Sequence, residues 1–95
     1  IPSVEGKEIV SGGGLYFDIV ARSKTGKIYM EMKNGEEIMY KDTILLKSSY
    51  PHFNRVEQWL TLTGFKPGKI DIIFYEDSNK KVEIGRTYIF IKWDL

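Results

Sequence analysis

Apolar and polar residues alternate along nearly the whole chain, in short runs closed by turn residues. Successive side chains of a β-strand point to opposite faces, so runs of this kind read as half-buried strands, and the 3.6-residue period of a helix is nowhere sustained. After an N-terminal segment from Val4 to Val10, the triple glycine Gly12-Gly13-Gly14 breaks regular structure. Leu15 to Arg22 then sets Leu15, Phe17, Ile19 and Ala21 on one face. Ser23-Lys24-Thr25-Gly26 supplies a turn, with Gly26 suited to a positive φ, and Lys27 to Lys33 returns with Ile28, Met30 and Met32 in phase. Asn34-Gly35 is a two-residue hairpin signal. In the strand after it, Ile38 to Lys47, the residues Ile38, Tyr40, Ile44 and Leu46 share a parity that Asp42 interrupts, so a bulge or strand switch is predicted near Asp42.

Ser48 to Asn54 contains Tyr50-Pro51-His52-Phe53 and reads as a loop, because proline cannot donate to a central ladder. Arg55 to Thr63 follows, with Val56, Leu60 and Leu62 on one face, Trp59, Thr61 and Thr63 on the other, and Gln58 as a polar residue facing inward. Pro67-Gly68 is placed for a type II turn. Lys69 to Asp77 carries Ile70, Ile72 and Phe74 in phase, Ser78-Asn79-Lys80-Lys81 turns again, and a last strand runs from about Arg86 to Trp93. Seven strands at near-regular spacing predict an all-β chain folded as a single antiparallel β-sandwich or small barrel. With 95 residues there is one core and one domain, 1–95, whose residues 1–14 also admit a flexible, linker-like reading.

The run Trp59-Leu60-Thr61-Leu62-Thr63-Gly64-Phe65-Lys66-Pro67-Gly68-Lys69-Ile70-Asp71-Ile72 resembles the E-to-F corner of fibronectin type III and related immunoglobulin-like domains. Leu60 and Leu62 stand as the core-facing pair, Phe65 as the plug and Pro67-Gly68 as the turn. The tyrosine such domains often place after the turn would fall near Ile70 or Asp71, and neither is Tyr. The resemblance implies an immunoglobulin-like sandwich of the kind used as a building block in surface and extracellular proteins.

Chemistry is limited by what the chain lacks. There is no cysteine and one histidine, His52, so thiolate nucleophiles, disulfides, Cys-zinc sites and multi-His metal centres are excluded, and any Ser-His-Asp set would have to run through His52. Ser11-Gly12-Gly13-Gly14 leads into a strand instead of a helix and lacks the Gly-Lys-Ser/Thr ending of a phosphate loop, and Lys24-Thr25-Gly26-Lys27 fails for the same reasons. Glu36-Glu37 and Glu76-Asp77 are neighbours beside turns, where they cannot face each other across a cleft as glycosidase carboxylates do. Asp77-Ser78-Asn79 lacks the glycine and distal glutamate of a calcium loop. No nucleophile, base and orienting group can be named together, so a non-catalytic chain without cofactor or metal is expected.

The aromatic content has positive meaning. Two Trp, six Tyr and five Phe are more than one small core easily absorbs. If Leu60 and Leu62 face inward, then Trp59 faces outward, and the same parity turns Tyr75, Tyr88 and Phe90 outward, a candidate partner-binding stripe. The competing explanation is that the stripe belongs to the core and one strand has the opposite parity. The expected role is a protein–protein interaction or structural module, self-association included, in an extracytoplasmic setting: cell surface, pilus-like or archaeal filament. The chain begins at Ile1-Pro2, which suggests a processed piece, with membrane contact only through a segment absent from it. A carbohydrate-binding module using the same aromatics is one alternative. A small nucleic-acid-binding barrel is another, although a net charge of +1 without a basic stripe speaks against nucleic acid.

Overall fold

A computed structural model describes residues 4–47 and 52–93. Among the described residues the chain is all-β, with seven strands and no helix: β1 (Lys7–Val10), β2 (Gly14–Ala21), β3 (Lys27–Asn34), β4 (Glu37–Leu45), β5 (Asn54–Thr61), β6 (Gly68–Tyr75) and β7 (Glu83–Lys92). Five form one sheet in the order β1-β7-β6-β3-β4, and β2 and β5 form a second. Every pairing is antiparallel except one. β1 runs parallel to β7, Ile9 opposite Ile91, so the expectation of a purely antiparallel fold is corrected to a mixed five-stranded sheet. The first and last strands both lead in the same direction, and a long excursion through the other five strands separates them, which is the connection a parallel pair needs. Residues 7–10 of the segment 1–14 thus lie in a ladder, and Val4 and Ile9 are buried. The loop read at Tyr50-Pro51 lies outside the described residues, and His52 and Phe53 beside it are exposed.

The alternation of the sequence becomes the two inner faces. Leu15, Phe17 and Ile19 from the small sheet pack on Ile28, Met30, Met32, Ile70, Ile72, Phe74, Ile89 and Ile91 from the large one. The Phe17 and Phe74 rings meet edge to face, 6.5 Å apart, across the gap between the sheets.

Two turn expectations move. The bulge predicted near Asp42 lies at Met39 instead, because the β3–β4 register passes from Met32 opposite Tyr40 to Lys33 opposite Ile38. This shift turns Ile38 to the outer face and leaves Tyr40, Asp42 and Ile44 in phase. Asp42 stays inward because the second polar misfit meets it there: Gln58 Nε2 donates to Asp42 Oδ2 at 3.0 Å from the facing sheet. The type II geometry assigned to Pro67-Gly68 sits four residues earlier, at Thr63-Gly64. Phe65 N–H bonds Leu62 O at 3.3 Å around Gly64, whose φ is +80°, while Gly68 opens β6.

That corner is clamped by the glycine-rich segment. Gly12 N–H donates to Leu62 O, Leu62 N–H donates to Gly13 O, and Ser11 Oγ donates to Phe65 O at 2.9 Å. The glycines are a structural brace between the sheets. Gly13 is required by a close approach, since a Cβ there would stand 2.8 Å from Val10 O.

Candidate interaction surface

Hydrogen-bond phase decides which groups of each strand face a neighbour. Leu62 N–H bonds Gly13 O, so on the β5 side the even-numbered residues exchange bonds with β2. The odd-numbered Arg55, Glu57, Trp59 and Thr61 send their side chains to the outer face and their N–H and C=O groups away from β2. No strand pairs with that edge among the described residues.

Trp59 is 72% exposed on this outer face. Its cross-strand partner is Tyr16, with ring centroids 4.2 Å apart and planes inclined by 45°. Tyr16 Oη donates to Asp18 Oδ1 at 3.1 Å, and Asp18 is ion-paired with Arg55, whose Nε lies 3.1 Å from Oδ2. The Arg55 guanidinium holds the Asp18 carboxyl below the usual carboxylate range, and the pairing raises Arg55 in turn. The surface is therefore a tilted aromatic pair beside a small polar network of both signs.

Tyr75, Tyr88 and Phe90 stand elsewhere. All three are on the outer face of the five-stranded sheet, on the far side of the core from Trp59, so the four residues do not form one stripe. Tyr88 and Phe90 pack edge to face at 5.6 Å, with Lys69 Nζ 4.8 Å from the Tyr88 ring. Tyr75 lies opposite Tyr29 on β3 and is half-buried; burial first, then the Glu31 charge, raises its hydroxyl. On this face the β6–β7 loop covers Glu31, which is 3% exposed and paired with Lys80. Asp77 Oδ1 fixes that loop by accepting the Lys81 and Val82 N–H groups at 2.9 and 3.0 Å. Parity alone sets every one of these aromatics outward, but parity does not say to which of two sheets a strand belongs. Tyr16 escapes sequence reasoning as the partner of Trp59 for the same reason: the pairing joins strands 43 residues apart in the chain.

The carboxylate neighbours do not converge. Glu36 and Glu37 are exposed at the β3–β4 tip, and Glu76 Oε1 accepts the Lys24 N–H at 3.3 Å while Asp77 holds its own loop. Among the described residues no group of three or more His, Asp or Glu is placed to hold a metal. A cavity of about 400 Å³ lies at one end of the core, lined by Ile19, Ala21, Ile28, Phe53, Phe74 and Ile84 together with Arg22, Lys24 and Glu76. It contains apolar walls and charged groups without a nucleophile–base pair. Comparison of the chain with family models, with curated proteins and with solved structures gives no match.

Proposed function

We propose that the chain is an immunoglobulin-like β-sandwich that serves as a non-catalytic protein–protein interaction or structural module of an extracytoplasmic assembly, at a cell surface or in a pilus-like or archaeal filament. Strand partition supports the architecture: β2 pairs with β5 in one sheet while β3, β6 and β7 share the other, matching the B–E and C–F–G division of immunoglobulin domains. The corner at Leu60, Leu62 and Phe65 agrees with it, and the missing corner tyrosine departs from it. The extracytoplasmic setting rests on the resemblance of residues 59–72 to domains used as building blocks there.

The observation that carries the interaction role is Trp59, 72% exposed on the outer face of β5 beside a strand edge that no strand among the described residues pairs with. An exposed indole contributes large contact area at low entropy cost, and an open edge offers amides and carbonyls to a partner strand. The carbohydrate alternative needs coplanar rings, and the 45° inclination of Tyr16 against Trp59 counts against it. A nucleic-acid role is disfavoured by the net charge of +1. Light scattering over a concentration series tests the proposal. The native chain should self-associate, and Trp59→Ala should weaken this at least tenfold while Phe90→Ala leaves it unchanged. A native chain that stays monomeric while polysaccharide retards it in affinity gels, with Trp59→Ala abolishing the retardation, would establish the carbohydrate reading instead.

A further inference from the structure

The four sheet edges are unequally protected. β1 offers only four residues, including Lys7 and Glu8. β4 is broken by the bulge at Met39, and Asp42 Oδ1 occupies the Thr43 N–H at 2.8 Å. Val20 on β2 already has a partner. β5 alone presents eight regular residues without proline, glycine or bulge, and Arg55, Glu57, Trp59 and Thr61 aim their backbone groups at solvent. Bulges, short strands and occupied amides are the usual protections of an edge, so the undefended one is marked for pairing.

We propose that β5 pairs antiparallel with β5 of a second copy of this chain, joining the two small sheets into one four-stranded sheet with order β2-β5-β5-β2. This rests on the reading of the chain as an interaction module and names its partner. Charge selects the register. The outward-bonding residues must meet their own kind, which leaves a few registers two residues apart. One sets Glu57 against Glu57 of the second copy and another sets Arg55 against Arg55, both repulsive. The register between them sets Arg55 against Glu57 of the second copy, twice by symmetry. A two-fold axis makes each contact reciprocal, as an isologous interface requires.

Charge exchange tests the register. Arg55→Glu and Glu57→Arg should both keep the native circular dichroism. Glu57→Arg should also keep the unfolding midpoint, whereas Arg55→Glu loses the ion pair with Asp18 and should lower it, so association is compared well below both midpoints. Each alone confronts like charges with its own copy and should raise the dimer dissociation constant at least tenfold by light scattering. In an equimolar mixture of the two variants, positions 55 and 57 carry opposite charges at both contacts between unlike copies. The mixture should recover the native constant to within about threefold, as a heterodimer in native mass spectrometry. A monomeric native chain overturns the proposal, as does a mixture no stronger than its components. If Trp59→Ala weakens association while both charge variants associate like the native chain, this pairing is wrong and the interaction role stands on another contact.

Discussion

Gln58 and Asp42 are the two residues that break the apolar pattern of their strands, and the fold resolves both with one bond. Each is a polar side chain on an inner face, and each is half-buried. Apart, either would leave a desolvated group; together, Gln58 Nε2 satisfies Asp42 Oδ2 across the two sheets. Gln58→Leu and Asp42→Leu should each lower stability by about 1 kcal/mol in urea unfolding, and the double variant should lose clearly less than the sum, because both polar groups vanish together. Additive losses would show that the two side chains do not depend on each other. Both residues are visible in the sequence as misfits. Their partnership is not, since it depends on how β4 and β5 sit across the core, and a single strand's alternation carries no information about the opposite sheet. Thr87 is similarly silent: its parity places it inward, but only the packing around it leaves Oγ1 buried without a partner.

At the level of elements, the strands are legible and their connections are not. Strands β2 to β7 each overlap a run of alternation, because half-burial imposes a period near two on them, whereas β1, two charged residues followed by two apolar ones, carries no such pattern. The parallel partnership of β1 with β7 leaves no local signal, since it joins residues 82 positions apart in register. The segment Ser11-Gly12-Gly13 reads as a break, and its three bonds to Leu62 and Phe65 emerge only when both ends of the fold come together. This brace makes a definite prediction. Gly13→Ala forces a methyl against Val10 O, and the turn must move away from the Leu62 corner, at a cost of about 1–3 kcal/mol. Amide exchange should accelerate first at Gly12 and Leu62, whose N–H groups make the clamp. An alanine variant with native stability and native protection there would show that the segment is not held closely.

On the scale of the whole molecule, the fold separates two exposed aromatic groups onto opposite sides of one core. The body measures 46 × 24 × 18 Å, so its broad faces are the outer faces of the two sheets. On one side Tyr88 and Phe90 pack among Lys69, Glu8 and Lys92, a mixed and largely self-contacting surface. On the other, Trp59 and Tyr16 stand beside the open edge of β5. The sequence carries the outward direction of these aromatics, and strand assignment divides them. The proposed partner contact belongs to one side of the molecule, the side where exposed aromatic area and a strand edge without a pairing strand among the described residues coincide. Amide hydrogen exchange of the native chain, compared between dilute and concentrated solution, examines this directly. Exchange should slow with concentration at Arg55, Glu57 and Trp59, β5 residues whose N–H groups point away from β2. Unchanged exchange at those three, with slowing confined to Glu8 or to the β4 edge, would contradict it.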